Sequence, residues 1–304
     1  MAQPSAPRRS RTFGIAALLL VNVFWGLSFI ASKYALTAGF PPMTLATLRY
    51  LFAALVLTPL ALRKPNGLRL ERRDIPMAVF SSALGITLYY YLEYTGMMYT
   101  TASTASLILA AIPVFSLLYG VLFQRQRASG RQWLNVGLSL LGVFLIIGVD
   151  ALGAGAGSLR GNLMIVGCCL SWVGYIQTSA RLRATYPSLK LTAWQALFAL
   201  ATLIPFALAE RSRWVPVDAL AWACAVGLAL ICSALCYFLY AEALSAVDPF
   251  TASLFININP IAAVLGGALL LGERMAAAQW VGGALILGSL LLNSRHARTD
   301  KAKA

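Results

Sequence analysis

Apolar stretches near residues 13–36, 43–62, 75–98, 102–123, 133–149, 162–180, 191–209, 219–241, 250–271 and 277–293 fill most of the chain, and polar residues cluster in the short segments between them. A helix needs about 20 apolar residues to cross a bilayer core of about 30 Å, so these runs predict ten transmembrane helices. Little chain remains for a soluble domain. The first run exceeds the roughly 7 to 15 apolar residues of a signal peptide. It is therefore read as a helix, although the basic MAQPSAPRRSR precedes it.

Composition strengthens this reading. Of the 304 residues, 60% are hydrophobic and 11% charged, against about 25% charged in a soluble domain. A net charge of +14 would suit nucleic acid if it formed a basic face on a soluble fold; here the cations sit in short loops, so topology explains them and no nucleic-acid partner is expected. With a cytoplasmic N-terminus, 18 Lys and Arg fall on the cytoplasmic side and 4 on the other, with Lys33 and Arg49 inside helices. The positive-inside rule then predicts that both termini are cytoplasmic. Cys168, Cys169, Cys224, Cys232 and Cys236 lie inside apolar runs, and the one histidine is His296 in the tail. No disulfide framework, metal site or cofactor is expected.

The two halves repeat. PVFSLLYGVLFQRQRASGRQW from Pro113 aligns without a gap on PIAAVLGGALLLGERMAAAQW from Pro260, matching Gly120 with Gly267, Arg127 with Arg274 and the closing Gln-Trp. The same offset of 147 pairs Thr104-Ala105-Ser106 with Thr251-Ala252-Ser253, and Tyr90 with Tyr237, while an offset of 146 pairs Phe52 and Pro59 with Phe198 and Pro205. Five crossings per unit is an odd number, so the second unit enters the membrane from the opposite side. The fold class expected is all-α integral membrane, with ten transmembrane helices as two inverted five-helix repeats (residues 1–149 and 150–304) around a central cavity. Such halves can exchange an outward-open for an inward-open shape around a site near the midplane.

In WGLSFIASK, in LATLRYLFA around Arg49 and in NPIAAVLGGALLLGERMAAAQW, the chain resembles the EamA-type members of the drug/metabolite transporter superfamily. Within them it looks most like the YddG-type bacterial exporters of aromatic and other neutral amino acids. The resemblance implies a bacterial inner-membrane carrier with a cavity lined by helices one to four and six to nine, and peripheral fifth and tenth helices. Related members move sugars, phosphates, drugs or nucleotide sugars. The second repeat carries Ala180 opposite Lys33 and Gln195 opposite Arg49, so a function needing symmetric cations is disfavoured.

Polar and aromatic residues inside the runs supply candidate chemistry. At 100° per residue Glu93 falls between Tyr89 and Tyr90 on the helix wheel, with Tyr94 beside Tyr90. A carboxylate in the span costs roughly 2.5–3.5 kcal/mol on insertion scales and usually faces a bundle interior or wet cavity. This face is therefore expected to line a pathway; the alternative places Glu93 at the outer interface, with the tyrosines as an interfacial belt. Tyr237 and Tyr240 occupy the repeat positions of Tyr90 and Glu93, so a two-fold axis would turn a second aromatic face toward the first. Aromatic faces attract an ammonium by roughly 0.5–2 kcal/mol, although the same tyrosines would also serve as packing. Trp25 and Trp172 align through the repeat, and Asn22 and Gln177 add amides. Trp194 and Gln195 open helix seven. The two cations in the span, Lys33 and Arg49, could hold a substrate carboxylate or pair with Glu93; Lys33 is expected to snorkel outward, and Arg49, which is deeper, is expected in a structural or gating ion pair rather than in direct substrate contact. Pro113 and Pro260 stand at equivalent positions, as hinge-forming kinks or as packing residues, and Asn257 and Asn259 precede the second.

These residues fit a carrier exporting neutral, including aromatic, amino acids or similar small metabolites by alternating access, with Asn22, Trp25, Tyr90, Glu93, Tyr94, Trp172, Gln177, Tyr237 and Tyr240 around the substrate. The alternative is a proton-coupled exporter of cationic drugs with Glu93 as counter-charge. An intramembrane enzyme would need a nucleophile with a base, or a metal, inside the span, and no such motif is present. The partners expected are the small-molecule substrate and the lipid bilayer, and no signal calls for more than a monomer.

Overall fold

The computed structural model describes residues 10–64, 67–154, 156–247, 255 and 258–301. Every regular element among them is helical. Eight helices are long and apolar enough to cross a membrane: α1 (Arg11–Thr37), α2 (Pro42–Leu62), α3 (Arg72–Met97), α4 (Ala102–Gln124), α5 (Gly130–Ala154), α6 (Ala156–Thr185), α7 (Ser188–Ala209) and α8 (219–246). The shorter apolar α9 (Ile258–Leu270) and α10 (Ala277–Lys301) follow. Several starts are capped locally: Ser10 accepts from the Phe13 amide, Thr101 from Thr104 and Asp218 from Ala221, each satisfying an N–H that the helix leaves free.

The solvent of this fold is lipid. Leu269, Phe123, Phe144 and Leu122 are 70–82% exposed to the surroundings, an apolar belt too extensive for a soluble monomer. Inside, Tyr94, Leu18, Leu45 and Met97 are fully buried. The principal pairings join the first half of the chain to the second: α1 packs on α8 and α9, α6 on α3 and α4, α2 on α7, and α5 chiefly on α10. Swapping the halves maps this set onto itself. Glycines set the closest crossings, since a Cβ at Gly142 would meet the Gly282 carbonyl oxygen at 2.5 Å and one at Gly282 would meet that of Gly142 at 2.6 Å.

Three local features depart from uniform helices. The wide turns Ala83–Leu88 in α3 and Leu228–Leu235 in α8 are π-helical, and residues 230–235 are the repeat counterparts of 83–88. Helix α4 breaks at Ala110–Ala111, where Pro113 has no N–H for the Leu109 carbonyl and its ring crowds that group. The corresponding segment before Pro260, with Asn257, lies outside the described residues. At their far ends α4 and α9 close alike: Gln126 donates its amide to the Gly120 carbonyl and Glu273 to that of Gly267, both at 3.0 Å. Each follows a left-handed residue, Arg125 or Gly272, the conformation with which many helices end.

Replacing Gly282 by alanine should force α5 and α10 apart at a cost of about 1–3 kcal/mol. The purified protein would then melt several degrees lower in detergent; an unchanged midpoint would rule out the backbone contact.

Candidate functional site

Arg49 sits at the junction of three helices. From α2 its Nε donates to Ser233 Oγ on α8 at 2.7 Å and an Nη1 donates to the Tyr94 hydroxyl on α3 at 3.0 Å, while the guanidinium lies 5.1 Å from the centre of the Tyr90 ring. It is only 6% exposed. Among the described residues no carboxylate forms the ion pair expected for it; its acceptors are neutral hydroxyls. Glu93 is also 6% exposed, inside the bundle and not at its rim, and accepts no hydrogen bond from a described residue. Among the described residues no ion pair joins it to Arg49.

A chain of rings leads away from this pair. Tyr50 meets Tyr90, Tyr90 meets Tyr89 and Tyr94, Tyr89 meets Trp172, and Trp172 meets Tyr175, with centroids 4.8–5.5 Å apart. Tyr237 and Tyr240 add two rings from α8. They pack against Trp25 at 5.6 and 5.4 Å, and Trp25 donates to the Cys232 carbonyl at 3.0 Å. Each aromatic group engages the tryptophan of the opposite half, Trp25 with Tyr237 and Tyr240, and Trp172 with Tyr89, while Tyr237 also borders the space lined by Tyr50 and Trp172.

Between these groups lies a small, partly open cavity of about 20 Å³, bordered by Tyr50, Gly85, Trp172, Gln195, Ser233 and Tyr237 among others. It has room for about one water. Both π-helical turns border it, through Gly85 and Ser233. A Cβ at Gly85 would fall 2.4 Å from the Tyr175 ring, so a glycine there admits the tyrosine. The central cavity expected from sequence is thus nearly closed here.

The ends of the bundle are tied differently. Lys33 does not snorkel to water; its ammonium donates to the Met97 and Thr100 carbonyls, at the end of α3 where the helix leaves carbonyls unpaired and a cation suits the dipole. Just beyond, Glu273 accepts from the Ala102 amide (2.8 Å), the Ser103 amide (3.0 Å) and the Ser103 hydroxyl (2.5 Å), clamping the start of α4. Glu210 does the same at the start of α2, accepting from Met43 at 3.2 Å and from the Thr44 amide and hydroxyl at 2.8 and 3.0 Å. Tyr34 donates to Asp218 at 2.9 Å. All three carboxylates come from the second half and hold the first. At the opposite, arginine-rich end, Gln124 donates to Gln177 at 2.9 Å, Trp194 to the Leu68 carbonyl at 2.7 Å and Tyr186 to Asp74 at 2.6 Å. Burial and the Asp74 carboxylate raise the Tyr186 pKa above the usual phenol value.

Of the residues singled out from sequence, Tyr90, Glu93 and Tyr94 gather around Arg49, and Trp172 and Tyr237 line the cavity. Trp25 and Tyr240 pack beside Tyr237. Asn22 is fully buried and donates to its own helix at Leu18, with its Oδ1 unpartnered; Gln177 belongs to the arginine-rich end. Pro113 marks the α4 break, and Pro260 lies buried in α9. Sequence reasoning did not place Ser233, Tyr175, Glu210 or Glu273 in any site. Only Glu273 left a trace, standing opposite Gln126 in the repeat. Among the described residues no group of His, Cys, Asp and Glu could hold a metal ion.

The pattern of the EamA-like transporter family matches residues 12–148 and again 159–295. The chain is similar to a protein of Escherichia coli (strain K12) named "Probable amino-acid metabolite efflux pump", with 25% identity covering 96% of this chain and 98% of the relative. It is also similar to the "Probable terminal-alkyne amino-acid exporter" of Streptantibioticus cattleyicolor, with 29% identity covering 92% and 93%. A solved structure with 20% identity overlays at a TM-score of 0.63, covering 95% of this chain and 99% of its own, which supports the fold.

Replacing Glu273 or Glu210 by glutamine removes the charge from three hydrogen bonds at a helix N-terminus and should cost about 1–3 kcal/mol in each case. Thermal midpoints of the two variants would fall; midpoints equal to that of the unaltered protein would contradict the clamps.

Proposed function

Because this chain belongs to the EamA-like transporter family, a family of transporters and not of enzymes, we propose that it exports neutral, including aromatic, amino acids or similar small metabolites by alternating access. The observation that carries the proposal is the junction of the two halves: a buried cation, Arg49, and a buried carboxylate, Glu93, that do not pair, beside a ring-lined cavity. A zwitterion brings one charge for each and adds no net charge to the bundle. The tyrosines offer ring faces to an ammonium and to apolar side chains. Names of the relatives point to the same substrate class.

Alternating access follows from two inverted five-helix halves, residues 1–149 and 150–304. Supporting that arrangement are the paired π-helical turns, the matched ends of α4 and α9, and packing that maps onto itself when the halves are exchanged. A cavity with room for one water must widen to admit an amino acid, so substrate enters after the halves separate at one end. The charge bias of the loops supports cytoplasmic termini, and the bacterial relatives support a place in the inner membrane. A second reading, proton-coupled export of cationic drugs, draws on Glu93 alone: a buried carboxylate without a hydrogen bond can hold a proton or a cation.

Counterflow separates these readings. Liposomes containing the protein and unlabelled phenylalanine, methionine or threonine should transiently accumulate trace labelled amino acid above protein-free vesicles. Glu93→Gln should weaken this exchange without abolishing it. Absence of accumulation in monodisperse protein would contradict amino-acid export, and cation efflux under a proton gradient that vanishes in Glu93→Gln would establish the second reading.

A further inference from the structure

Gln195, on α7, stands where the repeat places Arg49 and is itself 6% exposed. Its Oε1 accepts from the Tyr175 hydroxyl at 3.3 Å, which leaves the other end of the amide, Nε2, as the donor that has no partner. This residue borders the small cavity together with Ser233. The Ser233 oxygen already accepts from Arg49, so its own proton is left to point at an acceptor. A buried donor without an acceptor is destabilising, and through Ser233 this point of the bundle is tied to an arginine that has no carboxylate partner among the described residues.

We propose that Gln195, Ser233 and Arg49 form the carboxylate-binding subsite of the carrier, with Gln195 as the residue that selects a substrate bearing one free carboxylate. The inference rests on the amino-acid carrier reading and assigns the group that holds the carboxylate end. Its components are an N–H donor from Gln195, an O–H donor from Ser233 and the charge of Arg49 behind Ser233. Acceptors with negative charge satisfy all three; an amide or amine head leaves the arginine uncompensated. The ammonium end is left to Glu93 and the tyrosine faces. Gln195 also explains the asymmetry of the repeat: a second arginine here would suit a doubly charged group such as a phosphate, whereas one arginine with one amide matches a single carboxylate.

The test is counterflow of labelled phenylalanine with unlabelled phenylalanine, phenylalaninamide or phenethylamine as competitors. In the unaltered protein phenylalanine should compete at least about tenfold better than phenylalaninamide, the discrimination expected of a charged hydrogen-bonded group. Gln195→Met, similar in shape but without the donor, should lower the apparent affinity for phenylalanine about tenfold while leaving phenylalaninamide nearly unchanged. Gln195→Glu should abolish phenylalanine exchange. If Gln195→Met is not monodisperse, Gln195→Asn, which draws the amide back by one methylene, should shift the same ratio in the same direction. A phenylalanine-to-phenylalaninamide ratio unchanged by a well-folded variant would overturn the subsite and leave the carrier standing. No exchange of any neutral amino acid by the unaltered protein would overturn the carrier, and the subsite with it.

Discussion

A guanidinium stays charged at any accessible pH, so an arginine inside a bundle surrounded by lipid must find acceptors within the protein. Arg49 finds them on α8 and α3, and in doing so joins α2 to a helix of its own half and to one of the other half. The neighbouring structure accommodates that demand. Tyr94 is fully buried because its hydroxyl serves the arginine, and Tyr90 offers its ring face to the same charge. Ser233 sits in the wide turn of α8, whose counterpart in α3 contains Gly85. Such turns loosen the helical ladder near functional sites, and here they border a small cavity that Ser233 shares with the cation's hydrogen bond. Because the acceptors are neutral, the positive charge is solvated but not cancelled.

The same physics shapes the ends. A helix start offers unpaired N–H groups and a positive dipole end, and Glu210 and Glu273 each reach across from the second half to occupy one. The repeat does not reproduce the Glu273 clamp. Opposite Glu273 stands the neutral Gln126, and opposite Ala102 stands Pro249, which has no N–H to give. Two halves built on one backbone pattern thus hold their two ends with unequal strength. Closure at the arginine-poor end is reinforced by charge, whereas the arginine-rich end relies on neutral side chains and on Asp74 with Tyr186.

Much of this architecture could be read from the chain. Runs of about 20 apolar residues located the helices, and the gapless match from Pro113 to Trp133 foretold the common ending of α4 and α9, down to the left-handed position shared by Arg125 and Gly272. Partners could not be read so directly. Lys33 was expected to seek water because a sequence does not show that the end of α3, with its free carbonyls, lies within reach. Arg49 was expected to pair with a carboxylate because hydroxyls such as Ser233 carry no periodic signal. Which ring Tyr237 and Tyr240 would meet could not be read either, because the repeat aligns Trp25 with Trp172 but does not show that each tryptophan lies against tyrosines of the other half.

The central claim, that two halves rock about an amino-acid site between them, is tested most directly by spin-label distances measured at both ends in lipid. One pair would be placed at residues 37 and 213, the other at 127 and 181, each spanning the two halves, with and without saturating phenylalanine. The account predicts that the two distances respond in opposite senses, one end opening as the other closes. Distances that change together, or that ignore phenylalanine while exchange proceeds, would contradict it.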